Sequence, residues 1–580
     1  MYQWIEAMKV KIKPVEKHLD AEIETGCNTL QTFALGNTAL IAGVFDDFGL
    51  ENIINQRIGK IGSHVRANSG VLAKALIVQM INVPYQSLSG TQEYFSKYPI
   101  CGLLNNQVTA ADLNRAEIGR LLDDISGYGC ENLFLDCSSQ TANVLGLKVS
   151  ESHIDSTSFH YDGSTVEQEN CLLQLKQGYS RDHRPELNQA ISVMLCDAKS
   201  KIPLFLRNVS GNISDKTSFK NLIIDSLDTI KEQFHELEYL VGDSALCTEE
   251  ILAQLNRKQV KVVTRLPDAC NISKQCFEMS LHKEMTPIYP DNKDSPLGLW
   301  CGTTKIGNIE VKLLLVNNLS LAAKKEHTLR GKAQKEFETL TLALKKLTTQ
   351  PSKCQADAKK VFDKLCSKAK LCTFGEPTYT VKQKYAKRGK PKAGEAPSSL
   401  DVTVTAPLFI DEDKIQHQLK YETLYIVCTN DLKRDWTMAE LLSIYKRQSV
   451  IERNWRCCKD PTMFVDSIYL KKPSRIDALL WLMMIALLVF TAAEYKIRNT
   501  MQKNNLTIPS LYNKYRESRP TMERLLQYIG NCNICLAVIN NQIIGISNVT
   551  KEILALVNAL GSPYRYYFNA NTYKNDIKQN

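Results

Sequence analysis

The order of strand and helix signals between residues 151 and 267 constrains the fold more than any other feature of this sequence. HIDSTSFHYDG, AISVMLCDAKS and IPLFLRNVSGN are three β-type runs in succession, the last two joined by a short turn at Lys199–Lys201. A helix follows, with Ser214 or Asp215 able to cap it. YLVGDSA is a fourth strand. TEEILAQLNRK reads as a helix with acids in its first turn and basic residues in its last, as the helix dipole favours. VKVVTRLP is a fifth strand, apolar enough to be central. The order β-β-β-α-β-α-β predicts a mixed α/β sheet with an antiparallel side and a parallel side.

The flanks read differently. Residues 1–150 carry apolar residues at helical spacing, as in VLAKALIVQMINVPY and AEIGRLLDDISGY, and predict a helical N-terminal domain. From 268 to 435 the alternation stops. IEVKLLLVNN and YETLYIVCTN read as strands, and two charged helical stretches fall within 321–372. VKQKYAKRGKPKAGEAPSS reads as an exposed basic linker or arm. Helix returns over 436–500, in WTMAELLSIYKRQSVIERNWRCCK and, after a break at Pro473, in SRIDALLWLMMIALLVFTAAEYKIR. Residues 501–580 are expected to form a helical C-terminal tail. A chain of 580 residues exceeds one compact domain. The expected plan is therefore an α/β core at 151–267 and 436–500, interrupted by an insertion at 268–435 and flanked by helical regions.

Charge is unevenly spread. Residues 321–395 hold 19 Lys/Arg against 7 Asp/Glu, a net of +12, whereas the whole chain carries +10. The positive excess thus lies in one segment, which suits a phosphate-backbone partner; the plainer reading is a solvated helical face and a basic linker. The 18 cysteines show no paired Cys-x-x-Cys framework, since Cys532 and Cys535 stand without a second pair. Scattered free cysteines suit a reducing cytoplasm, and MYQWIEAMKVKIK lacks the apolar core of a signal peptide. Residues 478–493, ALLWLMMIALLVFTAA, are apolar but fall short of the ~20 residues of a membrane span. They predict a buried helix and no membrane partner.

Three acids sit where a carboxylate needs a partner. Asp155 lies within HIDSTSFH and Asp243 ends YLVGD, both in strand contexts where an unpaired carboxylate is costly. A divalent cation is one such partner, and a turn cap is another. In the helix after Trp436, Tyr445, Glu452 and Lys459 recur every seven residues, so on one helix they would share a side, with Gln448 and Trp455 on the adjoining face. An acid, a cation, a phenol and an amide in one stripe suit a metal–phosphate site. An ordinary solvated helix face has the same pattern.

YKRQSVIERNWRCCKDP resembles the Tyr-Arg-Glu-Lys signature of bacterial insertion-sequence transposases of the DDE type, spaced Tyr-x2-Arg-x3-Glu-x6-Lys. Tyr445, Glu452 and Lys459 fall at that spacing; Gln448 stands at the Arg position, with Arg447 beside it. GYSRDHRPELNQ, GNISD, VGDSAL and DSIYLKKPSRIDALL resemble further stretches of one branch of the group, in order, so the resemblance spans about 150–500. It implies a ribonuclease-H-like fold with Asp155, Asp243 and Glu452 as the catalytic and metal-binding triad. The 208 residues between Asp243 and Glu452 would then hold the insertion domain. It also implies two Mg²⁺ ions, with Mn²⁺ an alternative, cleavage of transposon ends and strand transfer into target DNA. The implied partners are double-stranded DNA, comprising terminal inverted repeats and target, and a second copy in a synaptic homodimer. The implied setting is the bacterial cytoplasm, at the nucleoid, with the N-terminal helices binding DNA.

DNA contacts are expected at Tyr445, Arg447, Gln448, Trp455, Lys459, Arg181 and Arg184. Trp300 is placed either on an unpaired base or, more plainly, in the core at a strand start, and Trp455 faces the same choice. His183 joins Arg181 and Arg184 as a phosphate contact, whereas His153 and His160 are expected to be hydrogen-bonding scaffold and Gly211 and Asn212 to serve a turn. A ribonuclease-H-like nuclease without strand transfer, or a domesticated non-catalytic DNA-binding protein, are the alternatives; the second expects a broken triad, and all three acids are present.

Overall fold

The computed structural model describes residues 30–59, 66–82, 88–104, 107–163, 173–180, 184–385, 397–460, 470–512, 514–539, 542–574 and 576. The chain forms two compact units, residues 1–240 with 448–580, and residues 241–447.

The first unit opens with β1 (Leu30–Ala34) and the helices α1 (Thr38–Asp47), α2 (Leu50–Ile58), α3 (Ser69–Asn82), α4 (Arg115–Tyr128) and α5 (Cys130–Val144). Asn114 caps α4, its side-chain oxygen accepting from the amides of Ala116 and Glu117. Then come the three strands of the expected order: β2 (Glu151–Tyr161), β3 (Asn188–Asp197) and β4 (Pro203–Ser210), an antiparallel ladder in which Asp155 pairs with Met194. The β3–β4 turn is closed by Asp197, whose carboxylate accepts from the Ser200 amide and hydroxyl at 2.6 and 2.7 Å. Gly211 follows β4 in a space where an added Cβ would lie 2.0 Å from the Gln189 carbonyl oxygen, so the turn there tolerates only glycine. Ser214 caps α6 (Asp215–Asp225), as expected. A further short helix, α7 (Leu227–Gln233), precedes β5 (Tyr239–Gly242), which runs across the boundary of the two units. The amides of Glu238 and Tyr239, still within the first unit, both donate to the Ser150 carbonyl at 3.0 Å.

The second unit continues with α8 (Glu249–Arg257), capped by Thr248, and β6 (Lys261–Arg265), completing the β-β-β-α-β-α-β order with α7 as the one addition. After α9 (Asn271–His282) come β7 (Thr286–Pro287), β8 (Leu297–Ile306) and β9 (Ile309–Asn317). The insertion is built from α10 (Ala322–Thr349), α11 (Gln355–Cys366), β10 (Cys372–Phe374), β11 (Thr378–Lys384), β12 (Ser399–Thr405), β13 (Leu408–Ile410) and α12 (Glu412–Glu422). Small clusters such as Ala358, Phe362, Val402 and Val404 hold it together. β14 (Leu424–Thr429) then pairs antiparallel with both β6 and β9. Strands β9 and β14, expected inside the insertion, and β8, whose run was not expected, are thus continuous with the strand that ends the first half of the core. Their runs LLLV and LYIVCT are apolar throughout, and burial between neighbouring strands satisfies them. The unit ends with α13 (Met438–Lys446), started by a Thr437–Glu440 capping box.

The first unit resumes with α14 (Ser449–Cys458) and α15 (Pro473–Lys503). Among the described residues α15 is the one helix long and apolar enough to cross a membrane, and 94% of its most apolar window is buried. It packs against α1, α3, α4, α5, β4 and α14, so its all-round apolar surface is that of a core helix. The C-terminal region departs from the expected helical tail. Beyond α16 (Met522–Asn531), β15 (Cys535–Ile539) and β16 (Gln542–Ser547) form a three-stranded antiparallel sheet with β1, followed by α17 (Lys551–Leu560) and α18 (Ser562–Tyr567). Tyr564 and Tyr567 bond to Asp47 and Asp46 of α1, and the buried Lys74 ammonium reaches Asp46 at 2.6 Å and the Tyr567 hydroxyl at 2.7 Å. The N-terminal and C-terminal regions therefore share one core with the central strands.

Candidate active site

Strand alternation puts His153, Asp155, Thr157 and Phe159 of β2 on one face. His153 is fully buried, with Nδ1 3.0 Å from Gln448 Oε1 and Nε2 3.1 Å from Glu151 Oε1. Gln448 Nε2 donates to the Ile154 carbonyl at 3.1 Å, which fixes Oε1 as the acceptor and puts a proton on His153 Nδ1. Farther along the same face, the Phe159 ring meets Trp455 edge-on, with centroids 6.4 Å apart. Helix α14 is thus fastened to β2 at both ends, and the half-buried Asp155 projects toward it between the two contacts. Glu452 lies one turn after Gln448 and about one turn before Trp455, and is exposed. Glu452 thus lies on the helix that Gln448 and Trp455 fasten to the Asp155-bearing face of β2.

Asp243 follows β5 in the second unit. Its Oδ1 accepts from the Ala245 amide at 2.9 Å, and its carbonyl oxygen accepts from Thr264 Oγ1 at 2.5 Å. It is half-buried. Two of the three expected acids thus belong to one unit and the third to the other. Among the described residues no group of three or more His, Cys, Asp or Glu side chains is placed to hold a metal ion. The donor set itself is all carboxylate, the chemistry that hard divalent cations take.

The single helical stripe expected from Tyr445 to Lys459 is not formed. Helix α13 ends at Lys446 and α14 begins at Ser449, with Arg447 capping the first and Gln448 preceding the second. Gln448, expected as a DNA contact, is only 9% exposed and has both ends of its amide engaged with β2, so in this structure it clamps α14 to that strand. Of the two places expected for Trp455, the structure shows the core. Trp455 is 5% exposed, with its indole N–H lacking a hydrogen-bond partner. Tyr445 is half-buried in the second unit, its ring 6.2 Å from that of Tyr425. Arg447 and Lys459 are half-buried at helix ends. Trp300 is half-buried on β8 with the Lys312 ammonium 4.3 Å from its ring centre, so a cation occupies one face of the indole. Arg184 is exposed and paired with Glu186. Arg181 and His183 lie outside the described residues. His160 bonds to Ser180 Oγ at 3.3 Å, and His153 is the hydrogen-bonding scaffold expected.

Sequence reasoning missed Asp477 of α15. Asn208 Nδ2 donates to it at 2.6 Å, yet burial pushes its carboxyl up to about 6, with Asn208 and Cys130 offsetting part of the rise. An acid immediately before the long apolar run of α15 was the available signal.

The family model described as the transposase DDE domain matches residues 151–489, and a domain of unknown function (DUF4277) matches residues 12–139. No curated protein matches the chain. Among solved structures, a chain from the cryo-EM structure of a piggyBac transposase synaptic complex with hairpin DNA aligns over 87% of this chain and 83% of that one. The identity is 8% and the TM-score 0.37, too distant a likeness to carry an argument about this chain. The transposase match begins at the first residue of β2, takes in Asp155, Asp243 and Glu452, ends within α15 and spans more than half the sequence: the chain belongs to the DDE transposase family and is a DNA transposase.

Proposed function

We propose that Asp155, Asp243 and Glu452 are the catalytic carboxylates, and that the protein cuts the terminal inverted repeats of a bacterial insertion sequence and joins them to target DNA. The fastening of the Glu452 helix to the Asp155 strand by the Gln448 clamp and the Trp455–Phe159 contact is the observation that supports this reading. The three acids would hold two Mg²⁺ ions, or Mn²⁺; bound there, the ions supply Lewis-acid activation of the attacking oxygen and stabilise the leaving one. The protein's own part is to orient. β2 and α14 fix two carboxylates from rigid elements, and the Ala245 amide holds one oxygen of Asp243. Exposed lysines of the insertion, among them Lys332, Lys335, Lys345, Lys359, Lys364 and Lys382, suit the DNA backbone. Tyr445, Arg447 and Lys459 would place the scissile phosphate, as the Tyr-Arg-Glu-Lys signature implies. The N-terminal helices would add DNA contacts, and two copies would synapse two ends at the nucleoid.

The test is Asp155→Asn with a plasmid carrying the element's ends and, separately, with pre-cleaved ends. Cleavage and end-joining should both fall by about 10³-fold or more. Undiminished cleavage refutes the assignment, and cleavage without joining in the unaltered protein marks a nuclease instead.

A further inference from the structure

Ser156 and Ser158, on the face of β2 opposite Asp155, border a cavity of about 180 Å³ that is also lined by Thr157 between them, Tyr179, Ile191 and the Ile213–Asp215 turn, all within the first unit. Ser158 pairs with Ile191 across the β2–β3 ladder, so the two side chains project to the same side. Three features of the cavity point to one kind of ligand.

First, it holds an unmet polar group. Ser158 is 2% exposed, lines the cavity, and its hydroxyl has no hydrogen-bond partner. A buried hydroxyl left so costs free energy that a ligand atom would recover. Beside it, Ser156 Oγ donates to Asp215 Oδ1 at 2.6 Å, so a carboxylate is held at the cavity by a fixed donor. Second, the remaining surface is apolar and aromatic: Ile191 and Ile213 line it, and Tyr179, another lining residue, is 86% exposed. A large aromatic ring displayed to that extent invites stacking. Third, the size is that of one ring. A cavity of roughly 150 Å³ takes a single benzene, whereas a buried water needs only about 10–15 Å³. The space is too large for one structural water and suits a flat heterocycle with apolar faces and a polar edge.

Resting on the protein's being a DNA transposase, we propose that this cavity receives an unpaired pyrimidine base of the DNA substrate. Tyr179 stacks on the base, Ile191 and Ile213 cover its faces, and Ser158 with Asp215 meets its hydrogen-bonding edge. The site lies on the face of β2 turned away from Asp155, so base capture and strand cleavage use opposite sides of one strand.

The full-length protein in EDTA is titrated with fluorescent oligothymidylate and with an abasic oligonucleotide of the same phosphate number, followed by anisotropy. The unaltered protein should prefer oligothymidylate by about tenfold. Tyr179→Ala and Ser158→Ala should each erase most of that preference while leaving affinity for the abasic strand unchanged. Neither change threatens the fold, since Tyr179 is largely exposed and Ser158→Ala removes one oxygen. Equal affinity of the unaltered protein for the two strands overturns the proposal, as does retention of the preference by either variant. No bond is cut in this assay, so its failure would leave the catalytic carboxylates standing. A cleavage-competent Asp155→Asn protein would sink those and leave base capture intact.

Discussion

Gln448→Leu tests whether the clamp between α14 and β2 sets the catalytic geometry. The side chain is 9% exposed, accepts from His153 Nδ1 at 3.0 Å and donates to the Ile154 carbonyl at 3.1 Å. Leucine fills a similar volume but meets neither group, leaving a buried ring N–H and a buried carbonyl unsatisfied. At roughly 1–3 kcal/mol for each, the cost is about 2–6 kcal/mol. Urea unfolding with α14 reported by Trp455 fluorescence would measure it. Glu452 is one turn from the clamp, so α14 should also shift against Asp155. Joining of pre-cleaved ends at saturating DNA should drop in rate, while DNA affinity in EDTA stays level, because displacement of ~1 Å at a reacting centre costs about 10²-fold. Gln448→Glu can still accept from His153 but cannot donate to Ile154, and should fall between. A leucine variant with unchanged stability and full joining rate would refute the reasoning. A variant that loses stability alone would show that the clamp holds the fold without positioning the acid.

Three further outcomes are expected. Asp477→Asn should stabilise the protein at pH 8 by at most about 3 kcal/mol. The folded carboxyl is raised to about 6 from 3.8, so its favourable contribution is complete below pH 4 and lost as pH rises through 6; thermal unfolding should show the variant's advantage vanish near pH 4, and an advantage independent of pH would contradict the desolvation account. Replacing the exposed Lys332, Lys335 and Lys345 by alanine should lower the slope of log affinity against log salt by about 0.9 for each phosphate no longer neutralised, measured by anisotropy on duplex DNA; an unaltered slope would remove α10 from the DNA surface. Trp455→Phe should leave DNA affinity unchanged and cost only packing, since the indole N–H makes no hydrogen bond; a large loss of binding would restore Trp455 as a DNA contact.

What could be read from the sequence was local. The Ser214 cap, the dipole-matched charges of α8, the β-type runs from 151 to 267 and the apolar core of α15 all depend on neighbours a few residues away, and each stands where expected. The transposase family was legible for a related reason: an ordered set of short motifs survives as a pattern in one dimension. Tertiary contacts decided the rest. Helical spacing from Tyr445 to Lys459 gave no hint of the break at Arg447 and Gln448, because the partners of the Gln448 amide, His153 and Ile154, lie almost 300 residues away. Separation along the chain likewise concealed the burial of Trp455 against Phe159, the pairing of β14 with β6, and the union of β1 with the C-terminal strands. Periodicity tells which residues need covering, and only the folded chain supplies what covers them.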